Sequence, residues 1–161
     1  MNFETVVFVP AAVSPHKSGQ QPTADNIRLE MLLTALKDEP GFACDPMELH
    51  RPPPSFAIET VEALRVKEPN AEFYYLIGED HVDRLSTWYR FEDLTRIVQF
   101  VVLSRSCWAA KHRYPTIRRQ LDISATDIRN RVASGRSIRY LVPAEVEKII
   151  HDRQLYREAE K

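Results

Sequence analysis

Continuous apolar runs alternate with amphipathic stretches along this chain. The runs predict strands buried on both faces, at 5–9, 72–77 and 98–103. Apolar side chains at helical spacing predict helices, at 24–37, 55–67, 80–97 and 143–152. Strands that alternate with helices in this way indicate an α/β fold with a parallel sheet of Rossmann-like type. We expect one domain over 1–161, because that length suits a single core.

Shorter signals fill the remaining parts of the pattern. A short strand is expected at 42–44 or 47–50, and another that ends near Ile123. Ser55 is the predicted cap of the helix that runs to about Lys67. The helix that follows Ile123 should end at Gly135, and Pro143 suits the first turn of the last helix.

Composition narrows the class of protein. A hydrophobic content of 43% and a formal net charge of −1 fit a globular protein with no overall attraction to nucleic acid or to an anionic membrane. The start of the chain has no signal-like apolar stretch. Cys44 and Cys107 form no C-x-x-C pair, which favours a reducing, cytoplasmic compartment. Any anion site must therefore be a local feature.

The segment Ile123–Arg129 carries the strongest local signal. Ser124 is a good N-cap, and Asp127 three residues later completes a capping-box pattern. A helix N-terminus attracts anions through its free N–H groups and partial positive charge. Thr126 adds a hydroxyl and Arg129 a permanent cation, so the segment suits phosphate. The alternative is a plain capped helix with its arginine in water.

Two loops after predicted strands add weaker signals. Ligands of open α/β sheets collect beyond the carboxyl ends of the strands. His16 and Lys17 lie in a cationic loop after the first strand, although a loop charge is commonly just solvated. Gly78 would let a ligand approach the backbone, and Asp80 could bind a ribose or an amine or serve only as a helix N-cap.

Aromatic residues offer a third candidate contact. Trp88 and Tyr89 lie in a mixed polar stretch, where the indole could stack on a heteroaromatic ring or simply pack on the core. The sequence contains neither a P-loop nor a G-x-G-x-x-G motif, and its four glycines are widely spaced. The histidines show no metal-ligand spacing, and no covalent nucleophile stands out.

Ordered along nearly the whole chain, these motifs resemble bacterial nicotinate-nucleotide adenylyltransferases of the nucleotidyltransferase superfamily. The matching segments include Ser14–Lys17, Ser55–Thr60, Tyr75–Asp80, Trp88–Tyr89, Ile123–Arg129 and Ser137–Pro143. The resemblance implies a Rossmann-like nucleotidyltransferase fold. It also implies transfer of AMP from Mg²⁺-bound ATP to nicotinate mononucleotide, which gives deamido-NAD and pyrophosphate. The implied partners are these two nucleotides, with no nucleic acid and no membrane, while a homo-oligomer stays open.

The resemblance also assigns roles to individual residues. Lys17 and Arg129 become the catalytic cations. The residues expected to bind ATP are His16, Lys17, Gly78, Asp80, Ser124, Thr126 and Arg129. The residues expected to bind nicotinate mononucleotide are Ser55, Phe56, Thr60, Trp88 and Tyr89.

This chain departs from the family pattern at three places. Ala125 replaces the second serine of the phosphate motif, and Ala57 replaces the first threonine of the nicotinate segment, which leaves acid against amide preference open. The first strand of the family and its H-x-G-H segment have no counterpart in the 161 residues, so we expect an N-terminally truncated fold. Two alternatives stay open, a catalytically dead nucleotide-binding remnant and a sister adenylyltransferase for another phosphorylated acceptor.

The missing histidines lead to a prediction for these 161 residues alone. Removal of one preorganised group that stabilises a transition state costs roughly 10²–10³ in rate. We therefore expect residues 1–161 to release little or no pyrophosphate from ATP plus nicotinate mononucleotide. A coupled pyrophosphate assay checks this, and turnover at ordinary enzyme rates would contradict it.

Overall fold

Contacts within the protein group into two compact units. The computed structural model describes residues 3–12, 23–105, 112–119, 121 and 123–157. Among these, the first unit comprises 3–12, 23–51 and 123–157, and the second comprises 52–105, 112–119 and 121.

From Val6 to Ser104 the elements alternate between strand and helix, as the sequence predicts. In chain order they are β1 (Val6–Phe8), α1 (Asp25–Leu36), β2 (Phe42–Cys44), α2 (Ala57–Lys67), β3 (Phe73–Gly78), α3 (Phe91–Ile97), β4 (Val98–Ser104), β5 (Thr116–Arg118), α4 (Ala125–Ala133) and α5 (Ala144–Asp152). Two 3₁₀ segments, Met47–His50 and Glu79–Thr87, lie between them. Every strand pairing among the described residues is parallel, so the predicted α/β class is confirmed.

Helix packing forms the core of the first unit. Ile128 and Val132 of α4 pack with Ile138 and with Val146 and Ile150 of α5. Met31 and Ala35 of α1 lie against this cluster, although no residue of α1 is itself fully buried. The three helices therefore share one small apolar core.

The two-stranded sheet of the first unit is less buried than the sequence predicts. β1 pairs with β2 in the register Val6↔Phe42 to Phe8↔Cys44. Val7 is 40% exposed and Phe42 is 45% exposed, so the expectation of a first strand buried on both faces is wrong. A sheet of two strands offers little surface for helices to cover, which is the physical reason.

The three-stranded sheet of the second unit has the order β3–β4–β5. Central β4 is its most buried strand, with Val101 and Val102 fully inside. Its core continues into Ile58 of α2 and Leu94 of α3, both at 0% exposure. This is the arrangement that a continuous apolar run such as 98–103 predicts.

Three local predictions in the second unit are wrong. Phe56, not Ser55, is the N-cap of α2, and no side chain caps that helix. The predicted helix 80–97 is a 3₁₀ segment followed by α3, because Arg90 adopts the left-handed conformation between them (φ 51°). The short strand before α4 is β5, which ends at Arg118 rather than near Ile123.

The predictions for the helix ends of the first unit are closer to the structure. α4 begins after Ser124, and Gly135 follows its end with a positive φ of 67°, as a glycine there predicts. Pro143 is the N-cap of α5 rather than a first-turn residue, a shift of one position. Within the described part of the chain, no helix is long and apolar enough to cross a membrane.

Packing of α2 gives a matched pair of substitutions. Ile58→Ala should lower the free energy of unfolding by about 2–5 kcal/mol, because it leaves a cavity in the core of the second unit. Val66 lies on the same helix and is 83% exposed. Val66→Ala should therefore change the free energy of unfolding by less than about 0.5 kcal/mol. Urea denaturation of both variants measures the difference, and equal midpoints would contradict this packing.

Candidate active site

The N-terminus of α4 has the geometry of a capped helix end. Ser124 is extended (φ −131°, ψ 152°), and its Oγ accepts a hydrogen bond from the Asp127 N–H at 3.0 Å. The Asp127 carboxylate accepts from Arg131 Nε at 3.0 Å, so it braces the helix instead of completing the capping box. The first turn keeps N–H groups and the positive end of the helix dipole directed outwards.

A hydroxyl and a guanidinium meet on the first turn of this helix. Arg129 Nη2 donates to Thr126 Oγ1 at 3.2 Å, and Thr126 is exposed. Ile128 between them is 7% exposed, so burial of that side chain fixes which face of α4 the pair occupies. Three of the predicted phosphate ligands, Ser124, Thr126 and Arg129, therefore lie together on one helix end, where an anion would be stabilised.

The carboxyl end of β3 carries a second set of predicted residues. Gly78 ends the strand and is the N-cap of the following 3₁₀ segment, so Asp80 is not the helix cap that the alternative interpretation required. A Cβ on Gly78 would meet the Asp80 carboxylate, which is the end of an exposed side chain and can move aside. The Asp80 side chain is 84% exposed and lies 3.8 Å from His81 Nε2. It is open to a ligand.

A polar link between neighbouring strand ends was missed by the sequence analysis. Ser104 closes β4 at 2% exposure, and its hydroxyl donates to the Glu79 carboxylate just beyond β3. Ser104 also accepts the Arg119 N–H at 2.8 Å through its carbonyl oxygen. The signal was a serine at the end of an apolar run. Arg105 follows it, exposed, at the same edge of the sheet.

Trp88 belongs to an aromatic cluster on the second unit. Its ring centroid lies 5.7 Å from that of Tyr75, 6.2 Å from His81 and 6.4 Å from Phe100, all in edge-to-face geometry. Trp88 is half-buried and packs against the core, which is the alternative named for it above. An edge-packed indole is held firmly in orientation by its neighbours.

The predicted pyridine-binding residues converge at the start of α2. The rings of Phe56 and Tyr89 lie 4.5 Å apart, and Tyr89 is 53% exposed. Thr60, one turn into the helix, is 4% exposed, while Ser55 is half-buried. The structure thus brings the segment 55–60 and the pair 88–89 together through the two rings. His16 and Lys17 lie outside the described residues.

Neither a metal cage nor an activated thiol is found in the described part of the chain. No three side chains among its His, Cys, Asp and Glu residues lie close enough to hold a metal ion. Burial, helped by the neighbouring Asp45 carboxylate, raises the pKa of the Cys44 thiol. A raised pKa disfavours the thiolate, so Cys44 is a poor nucleophile.

Comparison with known proteins identifies the family of this chain. The model of the Cytidylyltransferase-like family matches residues 2–131. A protein of Lactiplantibacillus plantarum named "Probable nicotinate-nucleotide adenylyltransferase" is 35% identical over 98% of this chain and 76% of its own length. The nicotinate-nucleotide adenylyltransferase of Bacillus subtilis is 30% identical over 95% of this chain and 82% of its own.

A solved structure shares the fold. Nicotinic acid mononucleotide adenylyltransferase of Plasmodium falciparum, solved in complex with NaAD, superposes with a TM-score of 0.75 at 15% identity, over 95% of this chain and 82% of that one. The fold is that of a nucleotidyltransferase. Within that class, the chain belongs to the nicotinate-nucleotide adenylyltransferase family.

The cap of α4 can be tested separately from any ligand. Ser124→Ala removes the acceptor of the Asp127 N–H and should lower the free energy of unfolding by about 1 kcal/mol. Ser124→Asp supplies another capping oxygen and should retain most of that stability. Thermal and urea unfolding of the two variants measure the effect, and an unchanged alanine variant would show that the cap contributes nothing.

Proposed function

We propose that this protein transfers the adenylyl group of ATP to the phosphate of nicotinate mononucleotide. The acceptor phosphate oxygen forms a bond to the α-phosphorus of ATP, and the bond from that phosphorus to the bridging oxygen breaks. Deamido-NAD forms and pyrophosphate leaves. The observation that carries the proposal is the capped N-terminus of α4, with Thr126 and Arg129 in contact on its first turn, in a chain of this family.

Charge stabilisation at the phosphates is assigned to the first unit. Ser124 and Thr126 would donate hydrogen bonds to ATP phosphate oxygens, and the Arg129 guanidinium would neutralise charge that develops on them. Phosphoryl transfer needs little covalent chemistry from the protein, so positioned donors and cations supply most of the rate. Lys17 and His16 are assigned further positive charge in the same role. Gly78 and Asp80 are assigned to the nucleoside part of ATP.

Recognition of the acceptor is assigned to the second unit. Trp88 would present an aromatic face to the pyridine ring, supported by its edge-to-face contacts with Tyr75 and Phe100. Ser55, Phe56, Thr60 and Tyr89 complete this group. Ring packing and the adjacent backbone orient the acceptor, which reduces the entropic cost of the transfer.

Magnesium enters this proposal as part of the substrate, Mg²⁺-bound ATP. Mg²⁺ in such sites keeps several waters and binds substrate phosphates with only one or two protein carboxylates. The ion would neutralise phosphate charge together with Arg129. We place the reaction in the cytoplasm, with the two nucleotides as partners.

The acceptor assay tests the proposed function. The full-length protein isolated from its own cells is mixed with Mg²⁺-ATP and one acceptor, and pyrophosphate is measured. Nicotinate mononucleotide should support turnover, and an unrelated phosphorylated acceptor such as phosphopantetheine should not. Nicotinamide mononucleotide measures the acid against amide preference. Turnover with phosphopantetheine alone would establish a sister adenylyltransferase, and binding without any turnover would establish a remnant.

A matched arginine pair tests the role of α4 within that assay. Arg129→Ala should raise the KM for ATP roughly 10- to 100-fold, the range for loss of one hydrogen bond to a charged group. Arg131→Ala removes the same charge from the same helix, but its guanidinium is engaged with Asp127, so its KM for ATP should stay near wild type. Equal effects of the two substitutions would contradict the assignment.

A further inference from the structure

Arg90 lies directly after the aromatic pair Trp88–Tyr89 and has an unusual backbone. Its φ of 51° and ψ of 41° place it in the left-handed region, which a non-glycine residue rarely adopts. Such a conformation persists where surrounding interactions determine it. Its carbonyl oxygen accepts the Leu94 N–H at 3.0 Å, so Arg90 is also the N-cap that starts α3.

Three hydrogen bonds hold the Arg90 guanidinium on two helices. Nη1 and Nη2 donate to the two carboxylate oxygens of Glu62 in α2, at 3.2 and 2.8 Å. Nε donates to Asp93 Oδ2 in α3 at 2.7 Å. A bidentate pair fixes orientation as well as distance, and a lysine cannot reproduce it. The pairs lower the pKa of Asp93 and raise that of Arg90, which keeps both groups charged.

These hydrogen bonds of Arg90 to Glu62 and Asp93, which we call the anchor, hold the segment that carries Tyr89. The backbone turns tightly there, since the Trp88 N–H donates to the Leu85 carbonyl and the Phe91 N–H donates to the Trp88 carbonyl, each at 3.1 Å. The Tyr89 ring rests on Phe56, the N-cap of α2, while Glu62 lies farther along the same helix. Tyr89 and Arg90 thus attach the turn to α2 at two separate points.

We propose that Arg90, through Glu62, is a positioning residue that sets the aromatic pair Trp88–Tyr89 for recognition of the nicotinate mononucleotide ring, an inference that rests on the proposed function. Arg90 is assigned no contact with the reacting atoms. Loss of the Arg90 contacts should raise the KM for the acceptor and not the KM for ATP, because Arg90 holds the segment assigned to the pyridine.

Steady-state kinetics of the full-length protein test whether Arg90 affects the acceptor and not ATP. In Arg90→Lys and Glu62→Gln, the KM for nicotinate mononucleotide should rise about five-fold, the scale of an exposed ion-pair network, while the KM for ATP stays within about two-fold. The double variant should be no worse than either single one, because both remove the same link. Arg96→Ala is the control, since Arg96 also bonds Asp93, at 2.9 Å, but its bond stays within α3.

Other kinetic results would overturn the proposal. An equal rise of both KM values would indicate a general structural role. An unchanged KM for the acceptor, or the same rise in Arg96→Ala, would show that the anchor positions nothing.

A second measurement separates this inference from the proposed function. Arg90→Gly tolerates the left-handed backbone but lacks the guanidinium, so it should fold. Its nuclear Overhauser contacts between the Phe56 and Tyr89 rings should weaken, and those of Arg96→Ala should not. If wild type shows no transfer to nicotinate mononucleotide, the proposed function fails and this ring contact alone decides the anchor. Unweakened contacts in Arg90→Gly would overturn it.

Discussion

Parallel pairing of β3 with β4 is the constraint on which the second unit depends. The register runs without interruption from Phe73↔Val98 to Gly78↔Leu103, so both strands end at the same edge of the sheet. Gly78, Glu79 and Ser104 meet there as a direct consequence. Because β4 buries apolar side chains on both faces, a shift of its register would expose part of the core, and the edge is therefore fixed by the same burial that stabilises the unit.

In each unit, the candidate site residues lie next to tightly packed side chains. In the first, Ile128 and Val132 bury one face of α4, which leaves Thr126 and Arg129 on its exposed N-terminal turn. In the second, edge-to-face contacts with Tyr75 and Phe100 hold Trp88. A site built on such elements is preorganised, and preorganisation is what a reaction without covalent catalysis by the protein requires.

The fold was largely predictable because its signals are local. The apolar run 98–103, the serine cap at 124 and Gly135 each act within a few residues, and each prediction is confirmed. β5 was misplaced because its position depends on pairing with β4 rather than on its own three residues. The burial of β1 was overestimated because a strand's sequence does not tell how many strands will join its sheet.

The candidate site was likewise predictable only where its contacts are local in the sequence. Residues within one motif, such as Thr126 and Arg129, could be named together from the sequence, and the structure joins them. Contacts between residues of different motifs could not be predicted from the sequence. The bond from Ser104 to Glu79 and the pair formed by Arg90 with Glu62 connect residues 25 and 28 positions apart. Spacing along the chain carries no signal for such contacts, whereas the fold creates them.

Hydrogen–deuterium exchange of the full-length protein tests the central assignment most directly, because it reports each unit separately. Nicotinate mononucleotide should slow exchange at 55–60 and 86–90 in the second unit, and Mg²⁺-bound ATP should slow it at 124–129 in the first. Protection by nicotinate mononucleotide elsewhere, or unchanged exchange at the start of α4 with ATP, would contradict the account.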